Sequence, residues 1–348
     1  MRKRSILILY SLPHPLLPDG SIDVFGPKAV LSRLEAVREA LLFLGYRVKK
    51  LEMKEDLIPM MGEIVASRTD LIFNLCEEFG GQPRLEMHVA ALLELLNIPF
   101  TGSSALILGL SQDKGRTKSI LSHHSVPTPA YEVVAPGEEP GTHSLRFPLI
   151  VKPLSEDASL GISNEALVHD RPPLLQQVQK VHRFHRQPAL VEEYIDGREL
   201  NVSILGNEDP LILPISEIDF STMPVGIPRI CGYEAKWVES SQEFTHTIPR
   251  CPASLSPEEE ARVRTVSLKA YRVMGLRDYA RVDIRLSAEG IPYLLEVNAN
   301  PDISPDAGMT RSAKAAGLLY PQMIGRIVDL AWARIFPSQA SPESEPRG

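Results

Sequence analysis

A chain of 348 residues, 43% apolar and 23% charged, has the balance of an ordinary globular protein and room for two or three domains or subdomains. Its formal charge of −7, with acids and bases interspersed, offers no basic face to a nucleic acid. Cys76, Cys231 and Cys251 have neither CxxC nor Cys/His spacing, which argues against structural zinc and a disulfide framework and for a reduced, cytoplasmic compartment.

The start, "MRKRSILILY", sets basic residues before an apolar run as a signal peptide does. The run is only about eight residues long and no small-x-small site follows, so a first β-strand fits better. No segment reaches the ~20 apolar residues that a membrane span needs. Residues 5–10 read as a buried strand, and 29–44 as a helix stopped by Gly45. A strand over 46–53, a strand over 70–75, a helix over 84–97 and a short strand, "PFTGS", follow. This βαβα order predicts a parallel sheet covered by helices, and without G-x-G-x-x-G after any strand a dinucleotide site is not expected there.

A helix over 112–124 ends at "SVPTPAY", where two prolines deny it further bonds. Strands with longer connections come next: "FPLIVKP", "PALVEEYI", "RELNVSIL", "PLILPISEI" and "EAKWVE". A helix over 257–274, a strand pair around Asp283 and a final helix over 313–336 complete an α/β and α+β chain without internal repeats. The expected units are an N-terminal α/β domain (1–110), a small subdomain (111–200), a C-terminal subdomain (201–336) and a Pro/Ser/Glu-rich, disordered tail (337–348).

Three stretches carry chemistry. In "ARVDIRLSAEGIPYLLEVNAN", strand period puts Arg281, Asp283 and Arg285 on one face. A two-residue turn at Glu289-Gly290 then sets Asp283 opposite Glu296 and Arg281 opposite Asn298, with Cβ atoms about 4.5–5.5 Å apart. Carboxylates that close need a shared proton, an arginine or a divalent cation, and Asp, Glu and Asn are the hard oxygen ligands magnesium prefers. Taken alone, the stretch also fits an exposed hairpin whose charges face water. In "LIVKPLSEDASLGIS", Lys152 ends a strand before a small-residue loop with Ser155, Ser159 and Gly161. Such a lysine and loop can hold phosphates, though the loop is no Walker A sequence, and a lysine snorkelling at a strand end fits equally well. In "ALVEEYIDGRELNVSIL", a strand edge could offer its backbone to a purine and a carboxylate to a ribose, or be a plain hairpin with a solvated acidic tip. Lys114 and Lys236 are ambiguous by themselves, and Trp237 could pack on a base or fill core.

Taken in order, "DLIFNL", "IPFTGSSALILGLSQDKGRTKSIL", "FPLIVKP", "VEEYIDGREL", "YEAKW", "ARVDIRL" and "YLLEVNANP" resemble the ATP-grasp fold and, within it, the D-alanine:D-alanine ligase family, from about Asp70 to Ile327. The resemblance implies a Rossmann-like pre-ATP-grasp domain followed by a two-subdomain ATP-grasp fold. It implies an ATP-dependent carboxylate–amine ligase that makes an acyl phosphate, which an amine attacks to release phosphate. By position, Lys114 and Lys152 would contact ATP phosphates, Ser159 would sit in the phosphate loop, and the stretch Glu192, Glu193, Tyr194 and Ile195 would hold adenine. Glu199 would bind ribose, and Lys236 would lie on the phosphate path. Asp283, Glu296 and Asn298 would ligate two magnesium ions (manganese being an alternative), and Arg281 would stabilise the developing oxyanion. Small amino-acid-like substrates and a homodimer through the N-terminal domain also follow from the resemblance; no residue stands out as a general base.

The departures concern the substrate. The family's Gly-rich loop with a Ser-Glu pair is replaced by "ILYSLPHPLLPDGSIDVFG", and its His-Gly after the "FN" strand by "CEEFGG". In "DASLG" only Ser159 of the phosphate loop's Gly-Ser-Ser remains, with Asp157 adding a negative charge. Asp302 occupies a glycine position and Ala307 a serine position. These changes argue against D-alanyl-D-alanine as the product. Two alternatives stand beside the leading reading: a true D-alanine:D-alanine ligase with a pocket built differently, and an ATP-binding module or kinase without ligation, which the acidic "SEDAS" loop favours.

Overall fold

The computed structural model describes residues 3–13, 26–141, 144–156 and 159–336. Most of the expected loop after β1, Asp157 and the tail from 337 lie outside the described residues.

The N-terminal part runs β1 (Ser5–Tyr10), α1 (Gly26–Phe43), β2 (Arg47–Glu52), α2 (Leu57–Ala66), β3 (Leu71–Leu75) and α3 (Glu86–Leu95). Its strands form a parallel sheet in the order β2-β1-β3. Every β3 residue is buried, as a strand covered on both faces requires. Helix α1 buries Val30, Leu34, Val37 and Leu41 along one stripe, and turns the equally buried Arg33 toward the cavity described below. The expected strand at "PFTGS" is only a bridge, Ile72 to Phe100.

The helix expected over 112–124 is α5 (Lys114–His123), and a helix not expected, α4 (Ala105–Gln112), precedes it. Asp113 takes an extended backbone between them, and its side chain accepts from the Arg116 N–H as the cap of α5. The cap makes Lys114 the first residue of a new helix.

A four-stranded antiparallel sheet follows, in the order β4-β7-β5-β6. It is built from β4 (Tyr131–Val134), β5 (Leu149–Pro153), β6 (Leu167–Val168) and β7 (Ala189–Glu193), and α6 (Arg171–His185) covers one face. The main sheet contains β8 (Gly197–Leu205), β9 (Leu211–Ile212), β10 (Ser216–Asp219), β11 (Ile248–Arg250), β12 (Tyr279–Ser287) and β13 (Pro292–Asn298), in the order β11-β10-β8-β12-β13 with β9 against β8. Sheet membership changes between β7 and β8, a few residues before the expected boundary at 200.

"EAKWVE" is not a strand: Tyr233–Trp237 is the short helix α7, followed by α8 (Gln242–His246). Glu, Ala and Lys are good helix formers, and that preference prevails here. Pro214 interrupts "PLILPISEI", leaving β9 and β10 as separate pieces. Helix α9 (Pro257–Met274) has its expected ends, set by a Ser256/Glu259 capping box and by Gly275 at φ +69°. The helix expected over 313–336 is divided between the end of α10 (Gly308–Ala315) and α11 (Tyr320–Ile335), broken at Gly317 with φ +82°. Among the described residues, no helix is long and apolar enough to cross a membrane.

Candidate active site

One cavity of about 1040 Å³ opens between the four-stranded sheet, the main sheet and the inner end of α1. Every residue expected at the site lines it: Lys114, Lys152 and Ser159; Glu192, Glu193, Tyr194 and Ile195; Glu199 and Lys236; and Arg281, Asp283, Glu296 and Asn298.

The β12–β13 hairpin makes its floor. Asp283 pairs with Glu296 and Arg281 with Asn298, as expected, but the route differs. The turn encloses three residues, with the Ser287 N–H bonded to the Ile291 carbonyl and Gly290 at φ +72°. That loop shifts the register by one, and a bulge at Leu295, where Asp283 pairs with Glu296 but Ile284 with Leu294, shifts it back.

Asp283 is buried and accepts four hydrogen bonds. Arg281 grips it through both oxygens at 2.8 Å, while the amides of Asn201 and Asn298 donate at 2.7 and 3.0 Å. The guanidinium is thereby fixed in direction, with Nη1 and one Nη2 hydrogen left for a ligand. Glu296 lies 3.9 Å from Lys114 Nζ. Burial works to raise its carboxyl, yet Lys114, Lys152, Lys236 and Arg281 together outweigh burial and hold it well below the usual carboxylate range. Asn298 points its amide nitrogen at both carboxylates. Turning the amide over presents its oxygen to the same place, and the two amide atoms are told apart only by their partners.

Two carboxylates and an amide oxygen form a hard-oxygen set that fits magnesium. Among the described residues no three or more His, Cys, Asp or Glu side chains group to hold a metal by themselves. A partial shell completed by phosphate and water is how magnesium is ordinarily held.

The opposite wall holds a buried charge cluster. Glu192, 1% exposed, accepts a 2.5 Å contact from Lys152 Nζ on one oxygen and has Lys118 Nζ 2.8 Å from the other. The second contact is a charge contact without hydrogen-bond alignment, because the aligned Lys118 bond goes to Thr128 Oγ1 at 2.7 Å. Burial alone would raise the Glu192 carboxyl, but the two lysines hold it below its ordinary value. Glu193 pairs with Arg146, and the Tyr194 hydroxyl donates to the Arg229 carbonyl. The N–H groups of Glu193 and Tyr194 are taken by Ala130 and Pro148. Beyond the end of β7, Ile195 lines the cavity.

Glu199 lies 3.0 Å from Arg285, whose guanidinium also bonds the Gly197 and Arg229 carbonyls and packs over Tyr194 and Phe220. Burial pushes the Glu199 carboxyl up, and Arg285 offsets part of that rise. Ser159, at φ +62°, donates to the Cys231 carbonyl at 2.7 Å, and Lys114 Nζ donates to the Glu156 carbonyl. Asn300, next in the alternate series after Glu296 and Asn298, is a tether. It donates to the Cys76 carbonyl and Glu86 and accepts from Tyr279, tying β13 to the N-terminal part.

At the far end, Arg33 meets Glu77 and Asp302 through one nitrogen, with Asp302 3.3 Å away. Asp302 also accepts from the Ser304 N–H and hydroxyl. Sequence reasoning missed Arg33, Lys118 and Asn201. Arg33 gives no signal, being one arginine in an amphipathic helix. Lys118 stands one helical turn from Lys114, and Asn201 shares a strand face with Glu199; spacing alone could have raised both.

A family model described as the D-alanine–D-alanine ligase C-terminus matches residues 121–329. The chain belongs to this ligase family. Among curated relatives of similar length, an uncharacterized protein (y4sG) of Sinorhizobium fredii is 35% identical over 328 residues, covering 94% of this chain and 92% of that one. The D-alanine–D-alanine ligase of Pelotomaculum thermopropionicum is 30% identical over 307 residues, covering 85% and 90%. In fold the chain resembles the crystal structure of the Bacillus anthracis D-alanine–D-alanine ligase complexed with ATP, with a TM-score of 0.75 at 23% identity over 97% of this chain and all of that one. The family's ATP-grasp architecture is thus the fold of this chain.

Proposed function

We propose that the protein is an ATP- and magnesium-dependent carboxylate–amine ligase acting on amino acids or a related small acid and amine. The observation that carries this is one cavity in which Lys114, Lys152 and Lys236 face the Asp283–Glu296 pair, with Arg281 fixed beside them. Kinship with D-alanine–D-alanine ligases supports the reaction class.

Lys114 and Lys152 hold the triphosphate, with the edge from Glu192 to Ile195 at the adenine and Glu199 at the ribose. A carboxylate oxygen of the acid attacks the γ-phosphorus, the bond to the bridging oxygen breaks, and ADP leaves. The amine then attacks the acyl-phosphate carbonyl, and inorganic phosphate departs as the amide forms and the amine loses its proton. Arg281 faces the oxygen that turns negative in this second step, and Asp283 keeps it aimed. Asp283, Glu296 and Asn298 would hold magnesium, which supplies charge neutralisation around the transferring phosphoryl group. Ser159 lies in the phosphate loop and Lys236 on the phosphate path.

The product we infer is not D-alanyl-D-alanine. Asp302 projects a carboxylate bound to Arg33 and Ser304, and Ala307 brings no hydroxyl. A cytoplasmic location, where ATP is made, fits the reading. Ile58 and Val65, exposed on the outer face of α2, support a homodimer through the N-terminal part.

The test is incubation with Mg-ATP and a pool of D- and L-amino acids, following phosphate release and the condensed product by mass spectrometry. Turnover that ignores the amino acids, or none, sinks the ligase reading. A dipeptide made from D-alanine alone overturns the inferred product.

A further inference from the structure

Lys118 lies behind the cavity wall and does not line it. It is 1% exposed, in the middle of α5, and its ammonium is spent inward on Glu192 and Thr128. Burying a lysine this completely is costly unless its charge is used. Glu192 faces two ammonium groups at once, Lys118 on Oε2 and Lys152 on Oε1. Of these two lysines only Lys152 reaches the cavity.

The three groups carry two positive charges and one negative. With both lysines present, Glu192 cancels the equivalent of one, and a net positive charge remains at the Lys152 end. Without Lys118, Glu192 and Lys152 become a closed pair and cancel each other. An anion arriving from the cavity then meets a neutral wall.

Resting on the nucleotide reading above, we propose that Lys118 is a positioning residue for the phosphates: by neutralising Glu192 from behind, it leaves the Lys152 ammonium free to bind them. Beyond Glu192 and Lys152, Lys118 feels the charge of Glu296 on β13, and its Nζ stands 5.8 Å from the centre of the Tyr131 ring on β4. Burial pushes the Lys118 amine down to about 8, against the pull of Glu192.

The test compares ATP with adenosine by calorimetry on the full chain. The ratio of the two affinities isolates what the phosphates contribute, whatever Glu192 does near the base. In Lys118→Met the ratio is expected to fall roughly ten-fold, the effect of one uncompensated charge at intermediate range, with adenosine affinity changed far less. In Lys118→Met/Glu192→Gln both hidden charges are gone, Lys152 is uncancelled again, and the ratio is expected to return to the wild-type value. A purely structural role for Lys118 predicts no such recovery.

A folded Lys118→Met protein with a wild-type ratio overturns the proposal. So does a double variant with a ratio as low as that expected of the single one, and the double variant decides alone if Lys118→Met does not fold. Wild-type protein that binds neither ligand overturns the nucleotide reading itself and this proposal with it.

Discussion

Glu296→Gln gives the sharpest test of the metal assignment, because it keeps the shape of the side chain and removes only its charge. Four cations hold that carboxylate ionised, and the nearest, Lys114 Nζ, is 3.9 Å away. A phosphate oxygen bonded to Lys114 at about 2.8 Å lies at most about 7 Å from Glu296. At that distance two unit charges repel by about 0.6 kcal/mol in water and about 2.4 kcal/mol at an effective dielectric of 20. Solvent reaches part of Glu296, whose side chain is 27% exposed, so the value falls between these limits. Metal-free ATP should therefore bind the variant about three- to sixty-fold more tightly than wild type. Magnesium-dependent turnover should fall about a thousand-fold, the loss of several kcal/mol of charge stabilisation. Calorimetry in chelator gives the first number and phosphate release with excess magnesium the second. Weaker metal-free binding would place Glu296 away from the phosphates, and near-normal turnover would refute its role as a ligand.

Arg281→Met leaves Asp283 with only amide donors; we expect a loss of up to about 3 kcal/mol in urea unfolding and about a hundred- to thousand-fold in turnover, with ATP affinity much less affected. The folded-state carboxyls of Glu192 and Glu296 lie below their ordinary 4.5, so their stabilisation is present above that value and is lost as pH falls below it, where the unfolded chain binds more protons. The melting temperature should drop from about pH 4.5 downward, and less steeply in Glu296→Gln. Asp302→Gly removes an acceptor from Arg33 and two bonds from Ser304; it should change which amino acids drive phosphate release while the KM for ATP stays within about two-fold. A change confined to ATP would show that Asp302 does not face the amino-acid substrates.

Alternation and apolar runs were enough to place the strands that build the site, and the end signals of α9 were correct to the residue, because capping and periodicity act over a few neighbours. The Asp283–Glu296 pairing was also legible, although a three-residue turn and a bulge at Leu295 reach it by two shifts that cancel. The strand reading of "EAKWVE" overlooked its helix preference, α4 went unread, and at Gly317 one residue decides between one helix and two.

Most strands and helices, the hairpin that pairs a carboxylate with a carboxylate, and the lysines at strand and helix ends are legible in the chain alone. These features depend on residues close in the chain or joined by a short turn. Folding in three dimensions is what clamps Glu192 between Lys118 and Lys152, brings Arg33 of the first helix to Asp302 beyond the last strand, and makes Asn300 a tether. Those contacts join distant segments of chain, and a buried charge is defined by what surrounds it in space, which no local pattern records.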